Sequence, residues 1–476
     1  MRTLNLYTFL FLLFFLTTFI RVLPHGFHPD SLVYMSIASD YALGNASFWH
    51  LHFSDTMFNE FYEHPPLGIV TMAIPFYIFG DTTLIDKLYG SFITLLMVYV
   101  VFKILTLLYT EKKHDIFILS IVYFLAFPIV GNTIENNLLE LPATLFILLS
   151  VYIFLDYVTH KKSILLYSFL FSLSLIGAFL VKGVVTLFPL ALPFFYAALF
   201  HKSYTFKDAL LFSFVSALFF VFYALLLYSY TDSYNYFEHY FNNQLLSSIQ
   251  GLRGDSEHFK ITSQLFIDLF SISFISLLII LIARISPKKL TFTNYFYLFF
   301  LIGLSGSIPL EVSPKQHDYY VFPALIFFAI ALAILFIDAF KDALIKLKAY
   351  KILTAVNFLL FVVAVFISYE KLGSVSRYEN FYHDIKNSAV QIVPQSQVIT
   401  CVTTQRDKEI FYGDIGLRAN LKRYYNAELT QESTNPEYII TTQASLKECS
   451  IETQKYKFIG PKEPLYFLLY KKTSSS

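Results

Sequence analysis

Long apolar segments, separated by short polar ones, constrain the fold of this chain more than any other feature of its sequence. A helix that crosses the hydrocarbon core of a bilayer needs about 20 mainly apolar residues, and the 476-residue chain contains eleven stretches that approach this length. The composition agrees, because 56% of the residues are hydrophobic and only 14% are charged. The sequence therefore predicts an α-helical polytopic membrane protein, with spans at Leu4–Ile20, Leu84–Tyr109, Ile116–Val130, Leu138–Leu155, Ile164–Leu180, Val184–Leu199, Ala209–Tyr230, Leu265–Ala283, Phe292–Leu310, Tyr320–Ile337 and Ile352–Ile367.

Two apolar segments near the start of the chain differ from ordinary spans. Leu67–Phe79 is too short, since at about 1.5 Å per residue it reaches only about 20 Å. We expect it to form a re-entrant or interfacial helix. The first span follows "MR" and is not succeeded by a small-residue cleavage site, so we expect an uncleaved anchor rather than a signal peptide.

The distribution of lysine and arginine predicts the orientation of the spans. Cytoplasmic loops of membrane proteins are enriched in these residues, and the long first loop, Pro24–Asp86, contains neither of them. With the N-terminus in the cytoplasm, this loop lies outside, and eleven spans leave the C-terminal tail outside as well. The loops on the cytoplasmic side are then all basic: "EKKH" (111–114), "THKK" (159–162), "HKSYTFKD" (201–208), "ARISPKK" (283–289) and "KDALIKLKAYK" (341–351).

The composition changes at the end of the last span. Residues 1–369 form the predicted transmembrane domain, and residues 370–476 are polar and charged, with short β-like runs such as "YIITT" (438–442) and a helix-compatible stretch at 413–426. This pattern indicates a small extracytoplasmic α/β domain. Both cysteines of the chain, Cys401 and Cys449, lie in it. Outside the cytoplasm they are compatible with a disulfide or with two buried thiols.

Polar residues collect in the outer loops at 24–86, 231–262 and 310–320, so chemistry is expected there. The first loop is rich in acids and histidines, and a solvated loop residue is the simplest interpretation of Asp40, Asp55 and Glu60. Asp30 differs, because Pro29 restrains the backbone directly after the first span and the apolar residues that follow can lie along the membrane surface. A carboxylate held there can serve as a general base.

The stretch "FYEHPPLG" (61–68) forms a second polar position at the predicted membrane surface. Pro65 is tolerated at the start of a helix, so Glu63 and His64 lie near a helix N-terminus. Such an N-terminus favours anions, and a histidine there can donate to a phosphate. The stretch therefore predicts a site for an amphiphilic anionic ligand.

Ionisable residues at the ends of other spans point to the same outer side. Glu135, Glu140, Lys182 and Lys315 fall there, and charge at membrane depth is costly enough to suggest a function. For each lysine taken alone, snorkelling to the headgroups is the alternative interpretation.

Five motifs follow one another along the chain: "HPDSLVY" after the first span, "EHPPLG" before a short apolar run, "ELPATLFILL" opening a span, "VKG" between two spans and "SPKQHDYYVFP" entering a late span. In this order they resemble the motifs of the C-type-fold glycosyltransferases. The resemblance covers about Met1 to Ile367 and is strongest to the bacterial branch that includes the lipid A aminoarabinose transferases, which is related to the protein O-mannosyltransferases.

This resemblance implies a sugar donor linked to polyprenyl phosphate and a glycolipid, lipopolysaccharide or protein acceptor on the outer face of a bacterial inner membrane. Asp30 corresponds to the catalytic carboxylate of that family, with Tyr34 nearby, and Glu140 replaces an aspartate. Ser31 stands where relatives often have a second acid, which departs from a paired-acid arrangement. Residues implied to bind the donor phosphate are His64, Lys182, Arg253, Lys315 and Tyr320, and those implied to contact substrate are Tyr34, Glu63, Glu238 and Gln244.

No cofactor is required by the sequence. If a divalent metal ion takes part, Glu63 and His239 are its candidate ligands. The net charge of +1 argues against a nucleic-acid partner, whereas the lipid bilayer is an obligatory one.

Three classes of function remain open from the residues. The first is a lipid-linked glycosyltransferase. A transporter or flippase would favour paired, Gly- or Pro-broken spans and charges at the middle of the bilayer, whereas the charges here gather at one face. A membrane anchor for an outer binding domain would leave the polar first loop without a role.

Overall fold

The fold consists of helices followed by a small sheet. The computed structural model describes residues 2–55, 57–247, 259–312, 316–375, 383–388, 392–401, 413–430, 436–447, 449, 455–464 and 466–473. The helices are α1 (Arg2–Phe14), extended by a π-helical turn (Phe15–Phe19) and a last turn (Ile20–Val22), then α2 (Pro29–Ala42), α3 (Leu67–Phe79), α4 (Thr83–Leu108), α5 (Lys113–Ala126), α6 (Pro128–Glu135), α7 (Glu140–His160), α8 (Ile164–Lys182), α9 (Leu192–Leu199), α10 (Phe206–Ser229), α11 (Thr231–Tyr240), α12 (Lys260–Ile282), α13 (Asn294–Ser307), α14 (Phe322–Lys346), α15 (Ala349–Lys371), α16 (His383–Lys386) and α17 (Gly413–Tyr425).

Nine of the described helical segments are long and apolar enough to cross a membrane, and a bent pair makes a tenth. The bent pair is α5 with α6, which meet at 81°. Pro128 accounts for the break, because proline removes a helical hydrogen bond and disfavours helix in the residue before it. These segments match ten of the predicted spans and confirm the helical membrane domain.

The predicted span Val184–Leu199 is the exception. It consists of two 3₁₀ turns, Gly183–Thr186 and Phe188–Ala191, followed by α9 with only eight residues. Gly183 has a φ of +75°, which ends α8, and Pro189 and Pro193 stand near the starts of the next two segments. The apolar run is therefore real but is not one regular helix of spanning length.

Packing divides the chain into two compact units. The first, called the membrane unit below, comprises Met1–Val22, Tyr62–Thr71 and Lys87–Lys371. The second, called the loop–tail unit, comprises Leu23–Phe61, Met72–Asp86 and Leu372–Ser476. The tail therefore packs with most of the first loop. The division of the chain at residues 369 and 370 stays a prediction.

Within the membrane unit, α14 is the central helix. It is apolar on every side, and 83% of its most apolar stretch is buried, against 11% for α10 and for α15. A helix that is hydrophobic all round belongs inside a bundle. The small residues Gly303 and Gly306 of α13 allow Phe328 and Phe188 to approach closely, since a Cβ at either glycine would lie about 2.9 Å from a ring carbon.

The loop–tail unit contains a five-stranded mixed sheet of order β2-β1-β3-β5-β4. Its strands are β1 (Gln397–Cys401), β2 (Glu428–Thr430), β3 (Tyr438–Thr441), β4 (Tyr456–Phe458) and β5 (Leu468–Lys472). β1 runs parallel to β2 and β3, and β5 runs antiparallel to β3 and β4. Helix α17 supplies the buried Leu417 and Leu421 to the same core, which confirms the predicted α/β tail.

A disulfide joins the two cysteines of the tail. Cys401, at the end of β1, is bonded to Cys449, 48 residues later. Of the two alternatives that the sequence leaves open, the structure contains the bond.

Replacing both Cys401 and Cys449 by serine should lower the free energy of unfolding of the tail. A native disulfide typically contributes about 2–4 kcal/mol. Pulse proteolysis of the full chain across a urea gradient would measure the change, and wild-type protein treated with reductant should reach the same midpoint. If the double variant keeps the wild-type midpoint, the bond does not stabilise the tail.

Candidate functional site

The proline corner before α3 is held by a tyrosine from another part of the membrane unit. Tyr236, in α11, is 1% exposed, and its hydroxyl donates a hydrogen bond of 2.6 Å to the main-chain carbonyl of His64. Burial raises the pKa of Tyr236 well above its usual value, with the nearby Tyr62, Tyr240 and Glu63 adding to the effect. The phenol is therefore a permanent donor that fixes the corner.

Aromatic rings continue this contact toward the histidine of α11. The ring of Tyr62 meets Tyr236 edge-on with centroids 5.0 Å apart. On its other side, the Tyr62 ring stacks on the imidazole of His239, with ring centroids 4.7 Å apart and an interplanar angle of 17°. The polar residues of the corner and of α11 consequently share one aromatic cluster.

Two glycines bring this cluster against the ends of α7 and α8. A Cβ on Gly68 would lie 2.7 Å from Leu139 and 3.0 Å from Val181, so only glycine allows the first turn of α3 to pack there. A Cβ on Gly183 would overlap the hydroxyl of Tyr240. These contacts place the corner and α11 beside the residues that flank Glu140 and Lys182.

Glu140 and Lys182 form a buried ion pair. Lys182 Nζ lies 2.6 Å from Glu140 Oε1, and their side chains are 10% and 2% exposed. Glu140 begins α7 and Lys182 ends α8, so each charge also stands at the helix terminus that stabilises its sign. Snorkelling of Lys182 to the headgroups is therefore not its arrangement in this structure.

Two tyrosines cover the ammonium group. Lys182 Nζ lies 5.4 Å from the ring centroid of Tyr320 and 5.7 Å from that of Tyr319. The imidazole of His317 stacks on Tyr319 at 5.2 Å and 3°. Cation–π contacts of this kind stabilise an ammonium group away from bulk water. Three elements of the membrane unit thus meet at Lys182: the start of α7, the end of α8 and the 3₁₀ turn Asp318–Val321.

This arrangement is suited to an anionic ligand. An ammonium group carries three donors, so Lys182 can keep its bond to Glu140 and still donate to a phosphate oxygen. Because the surroundings are buried and aromatic, such a charge-assisted bond would be stronger than one in water.

A cavity lies next to the same turn. It has a volume of about 180 Å³ and is lined by Pro128, Ile129, Ile261, Gln264, Leu265, Asp268, Asp318 and Val321. That volume is below the roughly 300–1,000 Å³ of usual ligand pockets, and its lining includes none of the predicted site residues.

Asp30 belongs to the loop–tail unit, in the first turn of α2. Pro29 occupies the first helical position, and the Asp30 N–H donates to His28 Nδ1 at 3.3 Å. The carboxylate of Asp30 lies 3.8 Å from the same nitrogen and is 37% exposed. Most of the following turns of α2 are buried, so the helix presents this carboxylate at its accessible end.

The burial of Ser31 and Tyr34 points to a structural role for the first two turns of α2. Ser31 is fully buried, and Tyr34 is 7% exposed, with its ring edge-on to Phe61 at 6.2 Å. A substrate contact by Tyr34 stays a prediction.

The remaining predicted residues are distributed as follows. Glu238 is exposed on α11, Glu63 is partly buried, and Gln244 is buried in the π-helical turn Phe241–Leu246. Arg253 and Lys315 lie outside the described residues.

Among the residues that the structure describes, no three His, Cys, Asp or Glu side chains group as a metal site. Glu63 and His239 therefore stay a predicted pair of metal ligands.

The loop–tail unit contains an ion-pair network that was not predicted from the sequence. Arg423 of α17 donates to both oxygens of Asp81 and both of Asp86. Burial opposes ionisation of Asp81, but the hydrogen bonds and charge of Arg423 outweigh it and hold the pKa of that carboxyl below its usual value. The ionised Asp81 carboxylate therefore stabilises the fold fully above about pH 4. This stabilisation is lost as the pH falls through the lowered pKa of Asp81. No local sequence signal connects residues separated by more than 330 positions.

Comparison with known proteins identifies the fold. ArnT from Cupriavidus metallidurans, solved bound to undecaprenyl phosphate, superposes with a TM-score of 0.65 at 11% sequence identity, over 99% of this chain and 98% of that chain. Its apo form gives 0.65 at 12% identity, over the same shares. This chain has the C-type glycosyltransferase fold of ArnT. The fold predicted from the ordered motifs is thereby confirmed.

The oligosaccharyltransferase of Archaeoglobus fulgidus reaches a TM-score of only 0.46 at 11% identity, over 92% of this chain and 68% of that chain, which is too low to support an argument. No protein-family model matches the sequence, and no curated protein matches it significantly.

The ion pair at the centre of the site should be strongly coupled. Lys182→Met leaves the Glu140 carboxylate buried without its lysine, so it should destabilise the protein by about 3–5 kcal/mol. The double variant Glu140→Gln/Lys182→Met should recover much of that loss. Thermal unfolding of the purified protein in detergent, arranged as a double-mutant cycle, would measure the coupling.

The exposed pair Lys289–Asp342 is the matched control for this cycle. Its atoms lie 3.0 Å apart, but the side chains are 53% and 40% exposed. Lys289→Met should change stability by about 1 kcal/mol or less. If Lys182→Met and Lys289→Met lower the stability by the same amount, the buried pair stabilises the protein no more than an exposed one.

Proposed function

We propose that this protein transfers a sugar from a polyprenyl-phosphate donor to a glycolipid, lipopolysaccharide or protein acceptor at the outer face of the cytoplasmic membrane, with inversion. The observation that carries this proposal is the buried Lys182–Glu140 pair beneath Tyr319 and Tyr320. It offers an ammonium group at a membrane-helix end, in the fold of a protein solved with undecaprenyl phosphate.

The proposed reaction is a single displacement. The acceptor hydroxyl attacks the anomeric carbon, its oxygen forms the new glycosidic bond, and its proton passes to Asp30. The bond between the anomeric carbon and the phosphate oxygen breaks, and its electron pair stays on the lipid phosphate. The products are the glycosylated acceptor, polyprenyl phosphate and protonated Asp30, which then returns its proton to water.

The leaving phosphate gains negative charge as its bond to the sugar breaks. Lys182 is proposed to stabilise that charge, with Tyr320, His64, Arg253 and Lys315 as further partners. Glu140 holds Lys182 in position in addition to any contact of its own with the sugar. Substrate contacts are proposed for the second group of predicted residues: Tyr34, Glu63, Glu238 and Gln244. If a divalent metal ion takes part, Glu63 and His239 would hold it, and it would neutralise phosphate charge.

Transport of a lipid-linked substrate is the second candidate function. It shares the phosphate-binding requirement but needs no general base. The two functions therefore differ in their dependence on Asp30.

A position of the first loop and the tail on the same side of the membrane has support from chain parity. Residues 23–61 and 372–476 pack in one unit, so the chain must cross the membrane an even number of times between Lys87 and Lys371. Of the nine long described helices, all but the first fall there, and the bent pair adds one more crossing. The irregular segment 184–199 supplies the tenth. Without these two crossings, the basic loops 111–114 and 159–162 would face opposite sides, against their shared charge.

Thiol labelling would test this orientation. Cysteines introduced at Asn45 in the first loop and at Glu463 in the tail, both exposed positions, should react with a membrane-impermeant reagent in intact spheroplasts. A cysteine at Lys161, exposed in the 159–162 loop, should react only after lysis. Protection of Asn45 or Glu463 until lysis would overturn the topology.

Asp30→Asn should abolish transfer while the protein still binds undecaprenyl phosphate. The change keeps the shape of the side chain but removes the base, which commonly costs about 10²–10⁴ in rate. Mass spectrometry of polyprenyl phosphate, released when the purified protein acts on an envelope lipid extract of its own host, measures turnover. Native mass spectrometry measures binding of undecaprenyl phosphate.

Asp55→Asn is the matched control, because Asp55 is an acid of the same loop with a side chain that is 84% exposed. It should turn over like the wild type. Near-normal transfer by Asp30→Asn would move the base elsewhere, with Glu140 next to be tested. Undecaprenyl phosphate binding without any transfer by the wild-type protein would favour the transporter.

A further inference from the structure

We infer that the C-terminal domain positions the catalytic carboxylate: Arg423 and Lys422 of α17 fix the helix that carries Asp30. The inference rests on the proposed function for the role of Asp30, but the contacts themselves are independent of it. Every residue involved belongs to the loop–tail unit.

Arg423 is the centre of the arrangement. Its Nε and Nη2 donate to Asp86 at 3.0 and 2.8 Å, and its Nη1 and Nη2 donate to Asp81 at 3.1 and 2.6 Å. The guanidinium also lies 5.2 Å from the ring centroid of Phe76. One side chain from the tail thus binds both carboxylates at the end of the first loop with a two-pronged geometry that lysine cannot reproduce.

The network continues into the last turns of α2. Ser39 donates its hydroxyl to Asp81, which ties the helix to the Arg423 cluster. Lys422, the neighbour of Arg423, lies 3.7 Å from Asp40 and 3.3 Å from Glu428 of β2. Ser39 is therefore linked to Arg423 through Asp81, and Asp40 is paired with Lys422 directly.

Burial makes these contacts specific. The side chains of Arg423 and Asp86 are 6% and 0% exposed. A buried ion pair of this kind adds little net stability over apolar packing, but removing one partner is costly. Its effect is to permit one relative placement of α2, the 81–86 segment and α17.

Placement at one end of α2 determines the position of the other. Asp30 and Asp40 are ten residues apart, about 15 Å along a helix. A tilt of about 4° at the held end therefore moves the Asp30 carboxylate by about 1 Å, and an error of this size can reduce catalysis by about 10²-fold. Arg423 and Lys422 act through α2, so they are positioning residues and not catalytic ones.

Hydrogen exchange and kinetics on the full-length protein in detergent test the inference together. Arg423→Met should increase amide exchange in peptides covering residues 30–42. It should also lower kcat by about 10²-fold, with KM for the lipid extract nearly unchanged. Arg423→Lys keeps the positive charge but not the planar guanidinium that binds two carboxylates at once. It should therefore restore the wild-type exchange and kcat only in part. Lys462→Met removes an exposed charge from the same domain and should change neither.

Should Arg423→Met fail to fold, Asp81→Asn provides the second route, because that carboxylate is 30% exposed and is shared with Ser39. It should produce a smaller change in the same two measurements. Wild-type exchange in residues 30–42 of a folded Arg423→Met or Asp81→Asn protein would overturn the inference. So would a loss of kcat without increased exchange.

Asp30→Asn separates this inference from the proposed function. If Asp30→Asn is inactive, and Arg423→Met increases exchange in α2 and lowers kcat, the proposed function and the positioning role are both supported. If Asp30→Asn retains full transfer, the assignment of the base fails, and with it the catalytic purpose of the positioning. Faster exchange in Arg423→Met with unchanged kcat would show a structural contact only, which also contradicts the inference.

Discussion

The hydrocarbon core of a membrane offers no hydrogen-bond partner to a backbone, and the rest of this structure follows from that constraint. The chain satisfies it with helices, and these leave only their ends and the connecting segments for polar chemistry. The polar groups that the sequence predicts to be functional lie at such positions. Glu140 begins a helix, Lys182 ends one, Asp30 lies in a first turn, and His64 precedes a proline corner.

Close packing around the helix ends allows these charges to be buried there. Lys182 has a carboxylate at 2.6 Å and two tyrosine rings within 6 Å, so its charge is compensated before any ligand arrives. Glycines at positions 68 and 183 provide the required approach, because a methyl group would collide with Leu139 at the first and with Tyr240 at the second. The site is thus formed by the backbone as much as by its charged groups.

Hydrophobic periodicity and charge were sufficient to predict the helical membrane domain, most of its spans and the α/β tail, because these depend on local composition. The short helix Leu67–Phe79 was also recognisable from its length alone. The same signals failed at 184–199, where apolarity is high but Gly183 and two prolines prevent a regular helix. Nor do these signals carry information on the packing of the first loop with the tail. That grouping depends on side chains such as Arg423 and Asp86, which meet only in three dimensions. Tyr236 and Tyr240 carried a usable signal, since residues four apart share one face of a helix.

The Arg423 network has a consequence for how the protein is made. Asp86 precedes Arg423 by 337 residues, and ribosomes add roughly 5–20 residues per second. The two carboxylates of the first loop therefore wait for roughly 20–70 s after their own synthesis until the arginine that binds them has been translated. During that interval most of the membrane helices are synthesised. Completion of the loop is thus a late event in biogenesis, because Arg423 is synthesised after the long apolar helices.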